Sequence, residues 1–200
     1  MITIGVTGGV GTGKSTVSRM LGELGAAVVD ADELVHRLIL PDGPAYPGLV
    51  KEFGPGILAP DGSIDRRKLA AAAFADDERV NTINSLIHPH VTAAIKRRAA
   101  ELAAGPEGAA VLVLDVPLLY ESGLDKLCDQ VWVVTADPAV RRDRVAQRDG
   151  PNRAAGIINR EAWQMPLADK AARADAVIDN SGDPAATRAQ VARLWRARGA

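Results

Sequence analysis

One cysteine, Cys128, stands in the whole chain. It allows no intrachain disulfide, and a reducing compartment suits it. No apolar run approaches the ~20 residues that span a bilayer. No His, Cys and Asp residues cluster at the spacing of a protein-held metal site. Charge of one sign is also missing. The net charge of −1 gives no basic field for nucleic acid or an anionic membrane surface. Arginine (18) outnumbers lysine (6), which a biased genome composition explains without a functional role. There is no internal repeat and no low-complexity tract. The start of the chain runs straight into a strand pattern, which argues against a cleavable signal peptide. These absences predict a cytoplasmic protein of one domain with no nucleic-acid or membrane partner. Hydrophobic content of 47% is ample for its core.

Directly after "MITI" comes "GVTGGVGTGKST", residues 5–16. Gly8, Gly13, Lys14 and Ser15 fit G-x-x-x-x-G-K-[ST], the phosphate-binding loop. Gly8, Gly11 and Gly13 let backbone N–H groups turn toward phosphate oxygens. Gly11, Thr12, Gly13, Lys14, Ser15 and Thr16 are thus the candidate nucleotide contacts. Lys14 is placed to reach the terminal phosphates, and the Ser15 hydroxyl to ligate Mg²⁺ arriving with the nucleotide.

Strand patterns recur at 2–7, 26–32, 109–117, 130–137 and 175–182, with helical patterns from Lys14 to Leu24 and over 184–197. Apolar Val17, Met20, Leu21 and Leu24 share one face of the first helix. Alternating strands and helices predict an α/β fold, a parallel five-stranded sheet wrapped by helices of the P-loop NTPase type. Residues 33–108 break the rhythm. They hold a Pro/Gly-rich loop at 40–48, then helical pieces at 48–54, 65–74, 76–87 and 89–104, with Asp76 as an N-cap and Pro89 in a first turn. This stretch reads as a helical subdomain for a second substrate, inserted into a core of 1–32 and 109–200. Residues 149–165, polar and Arg-bearing, read as a lid.

"VVDAD" puts Asp30 and Asp32 at the carboxyl end of the second strand, the edge where ligands gather in open parallel sheets. Asp32 is either an N-cap or a base that takes a proton from an attacking hydroxyl; Asp30 reads as structural. Asp115, ending "VLVLD", is either a buried strand end or a carboxylate one shell out from Mg²⁺. Leu118, Leu119 and Tyr120, just after it, are candidates for the wall of a substrate pocket. Arg141, Arg142, Arg144 and Arg148 lie on one helix, and Arg153 and Arg160 in or beside the lid. Solvated helix faces are the default for such arginines, and one of them closing over the transferring phosphoryl is the alternative. His88, in "IHPH", reads by default as a packed histidine.

The blocks "VVDADELVHRLI", "DGSIDRRKLAAAAF", "LIHPHV", "DVPLLYESGL", "QRDG", "QMPLADKAARAD" and "VIDNSGD" follow the phosphate loop in order. Together they resemble the dephospho-CoA kinase family over essentially the whole chain. "HPHV", "VPLLYESG" and "VIDNSG" are its specific parts. The resemblance implies a nucleotide core, a helical acceptor domain and a lid. It implies transfer from ATP to the ribose 3′-hydroxyl of dephospho-CoA, the last step of CoA synthesis, by a monomer or weak homo-oligomer. It implies Asp32 as base, Arg144 near the nucleotide, and Arg66, His88, Leu118 and Arg160 on the acceptor side. Asn180 and Gly182 match the block near the adenine. Tyr120 stands where the family usually has Phe. The lid lacks the family's acidic helix start, although Arg160 keeps its spacing to Gln164. A sugar hydroxyl must lose a proton, whereas the phosphate of a nucleoside monophosphate need not, so such an acceptor gives Asp32 work to do. The rival readings are a kinase for another small molecule, such as a sugar acid, and a nucleotide-dependent switch. No N-K-x-D element of the GTP switches occurs.

Overall fold

Strands β1 (Ile2–Gly8), β2 (Ala27–Asp30), β3 (Val111–Asp115), β4 (Gln130–Thr135) and β5 (Ala176–Asp179) form one sheet in the order β2-β3-β1-β4-β5. This is a computed structural model, and it describes residues 1–73, 77–104, 111–150 and 164–198. The pairs β1–β3, β1–β4 and β4–β5 are parallel, with Val6 opposite Asp115 and Trp132, and Gly8 opposite Val134. The five-stranded parallel sheet expected from the sequence is therefore present.

Side chains alternate across a strand, so each strand feeds two layers. On one face Ile4, Val6, Val111, Val113, Trp132, Val134 and Ile178 pack with Val17, Met20 and Leu21 of α1 (Lys14–Glu23) and with Val191 of the last helix, Pro184–Ala197. On the other face Leu112, Leu114 and Val133 are equally buried. That double burial explains why β3 reads as an unbroken apolar run. Leu119 and Cys128 lie over Gly5 in this second layer, where a Cβ would come within 2.7 Å of Leu119 and 2.8 Å of Cys128. Burial, with Asp125 and Asp129 nearby, pushes the Cys128 thiol up to about 12, so it stays protonated and unreactive.

Two expectations need correction. Leu24 does not share the buried face of α1: the helix ends at Glu23, the chain turns through Gly25 at φ 97°, and Leu24 is 40% exposed. The second strand is an edge strand with alternating exposure rather than a buried one, and it ends at Asp30, where a helix takes over.

The chain divides into two compact units, residues 1–29 with 101–200, and residues 30–100. The Asp30 side chain caps α2 (Ala31–Leu38), the first helix of the second unit. The second unit continues through α3 (Tyr46–Phe53), α4 (Arg66–Ala73) and most of α5 (Asp77–Ala104). Helix α5 is one element where two were expected, and Pro89 lies inside it rather than in a first turn. Proline removes one i→i−4 hydrogen bond, but Ile87, Val91, Ala94 and Ile95 form a buried stripe across the break. Asp76, residues 109 and 110 of the third strand, and 151–163 of the expected lid, including Arg153 and Arg160, lie outside the described residues.

Among the described residues, the first unit also holds helices α6 (Pro138–Asp149), α7 (Leu167–Ala172) and α8 (Pro184–Ala197). A polar knot holds its second layer. Lys170 of α7 is fully buried, donates to the Pro117 carbonyl at 2.8 Å and pairs with Glu121 Oε1 at 2.9 Å. The same Pro117 carbonyl accepts from the Thr7 hydroxyl of β1, and Glu121 Oε1 also accepts from the Met165 amide. Lys170→Met strands the Glu121 carboxylate and is expected to cost about 3–5 kcal/mol in urea unfolding, with part recovered by adding Glu121→Gln. A loss under about 1 kcal/mol would show that the pair is not buried in solution.

Candidate functional site

Strands β1 and β4 end together at the carboxyl edge of the sheet, and the chain leaves Gly8 through a loop that enters α1. Gly13 caps that helix at φ 84°, and a Cβ on it would lie 2.2 Å from Asn180 Nδ2, so only glycine fits. Thr12 is fully buried and its hydroxyl donates to the Gly9 carbonyl at 2.9 Å. Gly11, Lys14 and Thr16 are half-buried, and Ser15 is exposed. Lys14 Nζ is ion-paired with Asp115 Oδ1 at the end of β3.

Behind the loop stand residues from two other strand–helix junctions. Asn180 Nδ2 donates to the Thr12 carbonyl at 2.8 Å, and its Oδ1 accepts from Thr187 at 2.9 Å. Arg144 Nη1 reaches the same Thr12 carbonyl at 3.4 Å, while Nη2 donates to the Asn180 carbonyl at 2.8 Å. Arg141 Nε donates to the Val10 carbonyl at 2.8 Å. The Asn180 amide is thus committed at both ends to holding the loop in shape. Gly182 is exposed one residue beyond Ser181, whose hydroxyl and amide donate to Asp179 and hold that carboxyl below the usual range.

The arginines of α6 do not behave as one solvated face. Arg142 and Arg148 are exposed, but Arg141 is only 8% exposed. Arg141 and Val145, four apart, are the buried pair of this helix, and that spacing is the one sequence signal that could have singled Arg141 out. Thr187, buried on α8, carries no such signal.

Beyond Asp115 the chain separates three residues that the sequence places side by side. Leu118 is 42% exposed and Leu119 is fully buried in the second layer, so Leu119 is core rather than pocket wall. Tyr120 is half-buried. Arg173 lies 4.3 Å over its ring, and its raised pKa comes first from burial, with opposing influences from Arg173 and from Asp125, Asp175 and Cys128. Asp175 accepts from the Val131 amide at the start of β4.

Asp32, Arg66 and His88 belong to the 30–100 unit. Asp30 Oδ1 accepts from the Asp32 and Glu33 amides at 2.8 and 3.1 Å, so Asp30 is the N-cap. Asp32 sits exposed in the first turn, and its carboxylate is not the cap. Arg66 is exposed at the first position of α4, whose next amides bind Asp65. His88 is half-buried in α5, and burial lowers its pKa.

A parallel sheet with a phosphate loop at its carboxyl edge and a Lys–Asp pair beside it defines a P-loop phosphotransferase. Comparison with known proteins narrows the class. The pattern of the dephospho-CoA kinase family matches residues 2–185. The dephospho-CoA kinase of Symbiobacterium thermophilum is 49% identical, over 98% of this chain and 81% of its own. The crystal structure of TT1252 from Thermus thermophilus superposes with a TM-score of 0.85 at 30% identity, covering 100% of this chain and 98% of that one. The dephospho-CoA kinase from Campylobacter jejuni shares the fold, with a TM-score of 0.66 at 24% identity, over 97% of this chain and 95% of that one. The chain belongs to the dephospho-CoA kinase family.

Two measurements separate the roles of the residues around β2 and α5. Asp30→Ala is expected to lower stability by about 0.5–2 kcal/mol through loss of the cap, and Asp32→Asn to leave the unfolding midpoint in place. For His88 the folded pKa lies below the unfolded value of 6.5, so its contribution is complete above pH 6.5 and is lost as pH falls through the folded value. His88→Gln is therefore expected to flatten the decline of stability on the acid side of pH 6.5 in unfolding curves.

Proposed function

We propose that the protein transfers the γ-phosphoryl group of ATP to the ribose 3′-hydroxyl of dephospho-CoA, giving CoA and ADP in the final step of CoA synthesis. The observation that carries this reading is the family match over nearly the whole chain, on a fold whose phosphate loop stands at the sheet's carboxyl edge. Among the described residues no helix is long and apolar enough to cross a membrane. Action in the cytoplasm, as a monomer or weak homo-oligomer, completes the proposal.

In this reading residues 11–16 cradle the phosphates of ATP, with Lys14 neutralising charge on the transferring group. Asp32, exposed in a helix first turn and not used as the cap, takes the proton of the attacking hydroxyl. Such base catalysis is worth roughly 10²–10⁴ in rate. Arg144 acts near the nucleotide. Its guanidinium and the Asn180 amide both hold the loop, and Gly182 leaves room for the base. Arg66 is the first choice for the acceptor's pyrophosphate, and Leu118 supplies exposed apolar surface for its arm. His88 and Arg160 are further acceptor-side candidates. Tyr120, under Arg173, is a further candidate for the wall of the acceptor pocket.

The Ser15 hydroxyl and the Asp115 carboxylate are hard oxygen donors of the kind Mg²⁺ takes, and both flank Lys14, so the residues present fit a nucleotide-borne Mg²⁺. Ser15 would hold it, with Asp115 one shell out. When bound, the ion offsets negative charge between the β- and γ-phosphates.

Lys14→Met is expected to reduce turnover by ~10²–10³ in a folded protein. Asp32→Asn is expected to lower kcat with little change in ATP affinity, and preserved kcat would return Asp32 to a local structural role. The acceptor is tested by transfer from labelled ATP to dephospho-CoA, adenosine, AMP and gluconate in parallel, with the product position read by NMR. Efficient turnover of AMP or gluconate without dephospho-CoA overturns the acceptor and leaves a kinase. Slow release of ADP that ignores every acceptor points to a switch. Shortened acceptors should lose kcat as well as affinity, because binding energy from the arm orients the reacting hydroxyl.

A further inference from the structure

We infer that Arg141 is a positioning residue for the nucleotide, one that aims a loop amide at phosphate without touching it. The inference rests on the proposed ATP-dependent reaction and concerns how the loop is held ready for it. Arg141 sits in the second turn of α6 and is 8% exposed, deep burial for a guanidinium. Its Nε donates to the Val10 carbonyl at 2.8 Å. Its own backbone lies against the loop as well: a Cβ on Gly11, at φ 78°, would come within 2.7 Å of the Arg141 carbonyl oxygen. The loop is therefore clamped between Gly9 and Thr12 by one turn of α6, by backbone at Gly11 and by a charged side chain at Val10.

The consequence follows from peptide geometry. In a planar trans peptide the carbonyl of one residue and the N–H of the next point in opposite directions. Pulling the Val10 carbonyl onto Arg141 turns the Gly11 N–H the other way. The same logic holds one step on, where Asn180 and Arg144 take the Thr12 carbonyl and so orient the Gly13 N–H. Two alternate amides of the loop are set by donors on its outer side. A charged donor on the carbonyl also polarises the peptide unit and strengthens its N–H as a donor. Arg141 thereby preorganises one amide for phosphate while its guanidinium stays buried.

The test compares Arg141→Ala and Arg141→Lys with the wild type. Michaelis constants are measured for ATP and for dephospho-CoA, and dissociation constants for ATP and for adenosine by calorimetry and competition. The Gly11 amide resonance is followed by NMR in the folded proteins. Arg141→Ala should weaken ATP binding by about tenfold or more, leave adenosine binding and the dephospho-CoA constant near wild type, and move the Gly11 amide proton upfield. Arg141→Lys, which keeps a charged donor, should recover part of the ATP affinity. An Arg141→Ala protein that is less heat-stable yet keeps ATP affinity and the Gly11 resonance overturns the inference, leaving Arg141 as packing alone. Equal weakening toward ATP and adenosine overturns it as well. If Arg141→Ala fails to fold, Arg141→Gln carries the same comparison. The ATP-binding arm does not depend on the acceptor, so a wild type silent toward dephospho-CoA refutes the proposed function without deciding this point.

Discussion

Every peptide unit in a phosphate loop has two polar ends, and turning the N–H ends inward leaves the carbonyls facing protein. A buried polar group without a partner costs about 1–3 kcal/mol, so those carbonyls need donors from outside the loop. Here the donors come from elements 130 residues and more away in sequence: Arg141 for Val10, Arg144 and Asn180 for Thr12. Asn180 is fixed in turn by Thr187 and by its own amide on the Thr135 carbonyl. The junctions after β4 and β5 therefore exist in this form to finish a loop that begins after β1. Close approach is part of the same requirement, since Gly13 leaves room for the Asn180 amide that a side chain would fill.

The second layer of the sheet meets a different difficulty. It is closed in part by irregular chain between β3 and β4, whose own backbone groups must be satisfied in a buried setting. Lys170 and Thr7 donate to the Pro117 carbonyl there, and Glu121 partners the buried ammonium that results. Because Thr7 directly precedes Gly8 and the Pro117 turn directly follows Asp115 and Val116, this knot sets the height at which the loop and the Lys14–Asp115 pair leave the sheet.

Period and punctuation make the sheet legible in the sequence. Apolar runs marked the strands, and G-x-x-x-x-G-K-[ST] marked the loop by a mechanism that needs few residue types. What stayed hidden depends on long-range packing. Nothing local distinguishes Leu119, buried, from Leu118 beside it, or sets the Tyr120 ring under Arg173. Pro89 looked like a helix start because proline is easiest there, but a buried stripe on both sides outweighs one lost hydrogen bond. Asp30 and Asp32 both suit a helix start by residue type, and only the geometry gives the cap to Asp30. Arg141 leaves only its i,i+4 spacing to Val145 as a trace in the sequence, and Thr187 leaves none, because neither distant partner is marked by local pattern.

The strand order has a consequence for how the chain is made. β1 emerges from the ribosome first of the five strands, yet it lies at the centre of the sheet, between β3 and β4. Its neighbours begin at Val111 and Gln130, so until Val111 has been made the phosphate loop hangs from a strand without its sheet partners. Residues 30–100 form a compact unit of their own and are complete well before β4 exists. Vectorial synthesis thus delivers the inserted unit ahead of the sheet into which it is inserted. The nucleotide end closes only once all five strands exist, because two of its supports, Asn180 and Thr187, follow β5.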